Sequence, residues 1–339
     1  MCEFCLEHGE GKKWYLQMKN YQEELLHVEL DRLQKRLGRV DTRLEWNRRM
    51  FDQFMLPAAT GVPATVDFVT GLPLGGDDGA DGQELAPEAA PEPAAAPESA
   101  STTAAVSGAA PSGPVPSGPA PGPQPVPPRP SDDTVMRISK ILHFGQVIPL
   151  EDVERIFDLA DSITRLPCGC RFISTGKTDK RYCFGLGMDK WGLMGTYPDA
   201  ASSLEVLDSE EAKRLVREYD AEGLMHSVWT GVTPYVMGVC NCDHDCMAYR
   251  GYIEHGGPPD FFRGEDVGEV DWELCTGCKS CVAQCQFGAM NYSSVGAKVH
   301  INPRACFGCG VCRAACPTGA ITLVPREEVP AAAGLWLRA

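Results

Sequence analysis

Half of the sixteen cysteines in this 339-residue chain stand in two runs of one pattern, C-x2-C-x2-C-x3-C. Cys275, Cys278, Cys281 and Cys285 make the first run, and Cys306, Cys309, Cys312 and Cys316 repeat it displaced by 31, with Gly277, Gly288 and Ala289 recurring as Gly308, Gly319 and Ala320. Three cysteines spaced by two on a tight loop direct their sulfurs at three irons of one cubane, while the fourth points toward the cluster of the other copy. The ligand sets are therefore expected to cross: Cys275, Cys278 and Cys281 with Cys316 for the first [4Fe–4S] cluster, Cys306, Cys309 and Cys312 with Cys285 for the second. Thiolate suits the task because it is soft, anionic and stays bound while iron changes oxidation state. Gly277 and Gly308 let the backbone wrap closely and aim N–H groups at sulfur, one lever on reduction potential. Zinc is the competing reading, since C-x2-C pairs also serve zinc knuckles. Four cysteines at this spacing, repeated, favour the cubane, and two copies of one unit imply a pseudo-symmetric fold.

With its ending Cys316-Pro317-Thr318-Gly319-Ala320-Ile321, this segment resembles the bacterial-type two-cluster ferredoxins. The resemblance implies a ferredoxin-like fold and two [4Fe–4S] clusters at low potential. Gln286 departs from the pattern, standing where proline usually follows the fourth cysteine. It brings an N–H and a polar side chain toward the second cluster, which bears on potential rather than on assembly.

A second group precedes the repeat: Cys168, Cys170, Cys183, Cys240, Cys242 and Cys246. So many thiols in one region point to a metal site, although six exceed the four that a cubane needs. Cys168 to Arg171, Gly223 to His226 and Val239 to Cys242 resemble elements of a group of anaerobe iron–sulfur proteins that carry an additional Cys-rich domain ahead of a two-cluster segment. The likeness covers about residues 131–325 and implies little about substrate. A third [4Fe–4S] cluster, a zinc site and buried thiols all remain readings of these six. His226 is read as a satisfied polar residue rather than a ligand. At the N-terminus, Cys2 and Cys5, followed by His8, form either a metal half-site completed by another chain or a frayed end. They do not form a c-type haem motif, because Leu6 follows the second cysteine.

The elements that must position these cysteines fall into five stretches. Residues 1–56 hold the cysteine pair and a predicted long helix from Trp14 to about Phe54, because Leu26, Leu30, Leu33, Leu37, Val40 and Leu44 alternate by four and three along one stripe. That stripe either docks on a partner helix or folds back on its own chain. Residues 57–130 read as a disordered tether: fourteen of the 27 prolines lie between Pro87 and Pro130 among Ala, Ser and Gly, with too little apolar surface to offset the entropy of ordering. Residues 131–262 read as a small Cys-rich α/β or α+β domain, with helices from Glu151 to Ile163 and from Ser209, as its opening residue, to Glu222, and strands such as Val232 to Val239. Residues 263–325 are the ferredoxin-like segment, and 326–339 a tail. The fold class expected is α+β.

A net charge of −15 argues against nucleic-acid binding, which would need a basic face for phosphates. No run of eighteen apolar residues occurs, so no membrane span is expected. The start Met1-Cys2-Glu3-Phe4-Cys5 has neither the basic end nor the apolar core of a secretory signal, and the protein is expected in the cytoplasm, where cysteines serve as metal ligands rather than disulfides. Gly176-Lys177-Thr178 fails as a phosphate loop because Arg171 stands five positions before Gly176. Gly185-x-Gly187 lacks the third glycine of a dinucleotide fingerprint. Asp243, His244 and Asp245 have no base or nucleophile in sequence to work with, and read as a solvated loop.

The expected function is a redox subunit that passes single electrons between a donor and an acceptor through two or three clusters, held to a redox partner by the N-terminal helix. A reductase site in the middle domain fed by the ferredoxin segment, or a zinc-stabilised docking module there, are the alternatives.

Overall fold

Strands, most of them with side chains buried on both faces, set the architecture. In the computed structural model, which describes residues 2–22, 25, 144–177, 179–187, 204–246, 249 and 261–337, seven of them form one sheet. These are β1 (Gly145–Ile148), β2 (Ile163–Leu166), β3 (Cys183–Leu186), β4 (Glu205–Leu207), β5 (Met225–Thr230), β6 (Val236–Cys242) and β7 (Phe261–Phe262), in the order β4-β2-β3-β6-β5-β1-β7. All pairings are antiparallel except that of β1 with β7. Alternation along β5 sends Val228 to one core, and Met225 and Trp229 to another.

The helices described are α1 (Glu3–His8), α2 (Leu150–Leu159), α3 (Gly169–Thr175), α4 (Ser209–Glu222), α5 (Ser280–Gln284) and α6 (Val311–Ala314). Ile156 and Phe157 of α2, with Leu215, Val216 and Tyr219 of α4, cover the Val228 face of the sheet. The cap of α4 is Asp208 rather than Ser209: its carboxylate accepts the Glu211 N–H at 2.8 Å. Gly223, at φ +92°, closes the helix in the left-handed conformation. α2 stops at Leu159, short of the predicted Ile163, because Ile163 already pairs in β2. The predicted strand from Val232 begins only at Val236, after a turn in which the Tyr235 N–H bonds Val232 O.

The N-terminal segment corrects two expectations. Trp14 does not open a long helix: Trp14–Leu16 and Met18–Tyr21 are two 3₁₀ turns, and the heptad stripe lies outside the described residues, as does the predicted tether. Nor is the end frayed, for Phe4, Trp14 and Tyr15 are fully buried in the Val228-side core. Phe4 stacks on Phe144 with centroids 4.1 Å apart, and the Trp14 indole N–H donates to Gln146 Oε1 at 2.6 Å. Aromatic side chains bury large areas, each worth about 1.5–3 kcal/mol, and that gain outweighs the helical preference of a short segment. Lys13 Nζ bridges the buried Asp152 and Asp266, 3.0 Å from the latter.

After β7 come β8 (Asp266–Val270), β9 (Met290–Ser293), β10 (Lys298–Ile301) and β11 (Ile321–Pro325), paired antiparallel as β8 with β11 and β9 with β10. This half does not stand apart from the Cys-rich half. Phe307 and Val311 share one core with Val147, Met225, Cys242 and Phe261, and Phe287 stacks on Phe307 at 4.1 Å. The tail folds back as well, since the Arg263 guanidinium donates to Leu337 O at 2.9 Å.

Candidate metal centres

Two cavities in the last segment are each lined by four cysteines, and the sets cross. One has Cys275, Cys278, Cys281 and Cys316 in its wall; the other has Cys306, Cys309, Cys312 and Cys285. The repeat of 31 extends to the backbone. Gly277 and Gly308, Lys279 and Gly310, and Gly288 and Gly319 all take positive φ. A Cβ on Gly277 would lie 2.1 Å from Ala297 O, and one on Gly308 2.1 Å from Asp266 O, so only glycine lets these loops close. The Ala289 and Ala320 N–H groups donate to Cys285 Sγ and Cys316 Sγ, both at 3.3 Å, and the Gly268 N–H lies 3.4 Å from Cys306 Sγ. Four sulfurs around an apolar space, with N–H groups turned on them, fit an iron–sulfur cubane.

The two sets differ in exposure. Cys278 lies on the surface, its thiol lowered by hydrogen bonds from Ser280. Burial pushes Cys281 up to about 11 and Cys312 up to about 12, and raises Cys309 well above the ordinary thiol range. Metal binding must displace those protons. Cys309 packs against the core containing Cys242 and Cys246, whereas Cys285 and Cys312 pack against the core containing Cys275 and Cys281. The second cavity thus touches both halves of the molecule. Gln286, although it also lines this cavity, spends its amide on the Cys-rich half: Nε2 donates to Gly223 O at 2.5 Å and Cys242 O at 3.3 Å.

The six middle cysteines converge. Register puts Cys183 of β3 opposite Cys240 of β6, and the C-x-C spacing turns Cys240 and Cys242 to the same face of β6. Cys168 and Cys170, at the start of α3, approach that face. Cys168 Sγ is 3.8 Å from Cys183 Sγ and Cys242 Sγ is 3.2 Å from Cys246 Sγ, while thiol hydrogen bonds join Cys183 to Cys240 and Cys170 to Cys246. Hydrogen bonds to neighbouring thiols, then burial, hold Cys170 and Cys242 well above the ordinary range, so the group needs a cation to ionise. The Tyr182 N–H donates to Cys168 Sγ at 2.9 Å, and the buried Arg171 guanidinium reaches both Cys168 Sγ (3.6 Å) and Asp243 (2.7 Å). No disulfide joins any cysteines among the described residues.

His226 lies on the opposite face, fully buried, with Nδ1 2.6 Å from Asn241 Oδ1 and Nε2 3.3 Å from Asp220 Oδ1; both ring nitrogens are spent on structure. Asp243 and Asp245 are tied down by ion pairs to Arg171 and Lys177 instead of standing free in solvent.

Cys2 and Cys5 are buried against their own chain rather than awaiting another. Cys2 caps α1, accepting the Cys5 N–H at 3.3 Å, and Cys5 Sγ–H donates to Glu265 Oε1 at 3.1 Å. Burial, followed by the hydrogen bond to Cys5 and the charge of Glu265, drives the Cys2 thiol far up. Glu265 gave no signal in sequence, since it stands alone and 260 positions from Cys5.

Crossed tetrads of cysteine in a ferredoxin-like arrangement define an iron–sulfur domain of the ferredoxin type. In agreement, the family described as 4Fe-4S dicluster domain matches residues 274–321. No curated protein matches the chain. No helix among the described residues is long and apolar enough to cross a membrane.

Proposed function

We propose that this chain is an electron-transfer protein or redox subunit with two [4Fe–4S] clusters in its last segment and a third in the six-cysteine group, serving a cytoplasmic donor and acceptor. The observation that carries the reading is the pair of cavities lined by crossed tetrads. When bound, each cluster supplies one-electron redox chemistry at low potential. The chain's residues hold it, shield it and set who can approach. Cys275, Cys278, Cys281 and Cys316 would hold the first cluster at the surface, where the exposed Trp272, Leu274 and Val295 offer a redox partner apolar contact. Cys306, Cys309, Cys312 and Cys285 would hold the second against the six-cysteine group, with Phe287 and Phe307 excluding water. The heptad stripe from Leu26 to Leu44 is the segment proposed to bind the partner complex; deletion of residues 26–56, which spares the core contacts of Phe4, Trp14 and Tyr15, should abolish co-purification of that complex.

Iron, sulfide and zinc analysis after anaerobic purification tests the clusters. About twelve irons per chain supports three cubanes and about eight supports two. Fewer than four, with no paramagnetic signal after dithionite, would refute the proposal. A zinc-stabilised module is the second reading for the middle group, because the Cys168 to Cys183 separation of 3.8 Å equals the edge of a tetrahedral zinc thiolate site, about 3.8 Å for Zn–S of about 2.3 Å. Zinc in place of the last four irons would decide for it.

A further inference from the structure

We infer that Cys2, Cys5 and Glu265 form a separate mononuclear site for a borderline divalent cation, zinc foremost, which pins the N-terminal segment to the bend just before β8. The two Sγ atoms and a carboxylate oxygen lie within 4.8 Å of one another. Cys2 Sγ is 3.3 Å from Cys5 Sγ, and Cys5 Sγ is 3.1 Å from Glu265 Oε1. A tetrahedral zinc with Zn–S of about 2.3 Å and Zn–O of about 2.0 Å needs edges of about 3.8 and 3.5 Å, so outward shifts of roughly half an ångström admit the ion.

The surroundings hold these ligands in place. The Cys2 N–H donates to Glu265 Oε2 at 3.3 Å, leaving Oε1 toward the thiols. Gln146 Nε2 lies 3.4 Å from Glu265 Oε1 and 4.0 Å from Cys2 Sγ, and is itself fixed by Arg263 O (3.0 Å) while its Oε1 accepts from Trp14. Such outer partners set ligand orientation in metal sites. Two soft thiolates and one hard carboxylate suit a borderline cation, with a fourth position left for water. Three anions and a divalent ion leave one negative charge, and the fully buried Arg326 guanidinium interacts with Glu265 to offset it. Thiol–disulfide exchange with another protein is excluded by burial, since Cys2 is 3 % and Cys5 0 % exposed.

This site is independent of the clusters, and its test is read separately from them. The full-length chain, purified anaerobically with its clusters, is compared with Cys2→Ser/Cys5→Ser and Glu265→Gln by zinc analysis and by zinc competition against a chromophoric chelator. The wild type should hold about one zinc that both variants lose or bind at least tenfold more weakly, with visible cluster absorbance unchanged. Zinc-edge X-ray absorption should show two sulfurs near about 2.3 Å in the difference between wild type and double variant. Gln146→Leu should weaken zinc by about 10–100-fold. Should the double variant misfold, Glu265→Gln keeps the side-chain volume and both thiols and carries the test alone. Equal zinc content and affinity in wild type and Glu265→Gln would overturn the site, as would a Cys2–Cys5 peptide two daltons light from a disulfide.

Discussion

Gly308→Ala and Gly319→Ala separate the two duties that glycine performs in the cluster loops. Both positions take left-handed backbone, φ +79° and +64°, where an L side chain costs about 1–2 kcal/mol. At Gly319 a Cβ meets nothing within 4 Å, so that conformational cost is the whole effect. At Gly308 it would stand 2.1 Å from Asp266 O and 2.9 Å from Asp266 C, where ordinary contact begins near 3.4 Å. The obstacle is backbone, not a flexible tip, and it belongs to β8, which is paired with β11 through Asp266 and Pro325. The loop or the strand must yield by more than an ångström, which adds roughly 1–3 kcal/mol of overpacking strain. Gly308→Ala should therefore purify with about half the ferredoxin-segment iron of the wild type, having lost the set that contains Cys306 and Cys309. Gly319→Ala should keep its iron and lose only about 1–2 kcal/mol in denaturant unfolding. Iron per chain and the dithionite-reduced paramagnetic signal read the difference. If both variants retained full iron and equal stability, the reasoning from the close approach to β8 would be wrong.

Other substitutions probe the joints. Gln286→Pro, which installs the residue that the ferredoxin pattern favours, removes the donor to Gly223 O and Cys242 O; chemical denaturation should show a loss of about 1–3 kcal/mol with cluster content unchanged. His226→Phe leaves Asn241 Oδ1 and Asp220 Oδ1 without their partner and should cost about 2–4 kcal/mol, while an unchanged metal content confirms that the ring is not a ligand. Arg171→Met strips the guanidinium from Cys168 Sγ and Asp243; metal in the six-cysteine group should dissociate about 10–100-fold more readily to a chelator, with the ferredoxin-segment iron unaffected.

How much of this was open to reading depended on distance along the chain. Each C-x2-C-x2-C-x3-C run is a local motif, so its spacing alone dictated which sulfurs share a loop, and Gly277 and Gly308 marked where the backbone wraps closely. The helix from Ser209 was legible too, because a polar opening residue followed by the acidic Glu210 and Glu211 is a local signal. Trp14 misled for the opposite reason. Its surroundings read as the start of an amphipathic helix, but aromatic burial against Phe144 and Gln146 decided the segment's shape.

Composition and spacing by themselves pointed to thiolate chemistry, and they fixed the doubling of the cysteine motif and the lack of any run of eighteen apolar residues. Tertiary structure alone decided that six scattered cysteines meet beside one sheet face, that Gln286 turns its amide to Gly223 and Cys242 while lining the second cavity, and that Glu265 packs against Cys2 and Cys5. Contacts across 260 residues leave no periodic trace, since one buried carboxylate looks in sequence like any surface glutamate until the fold closes around it.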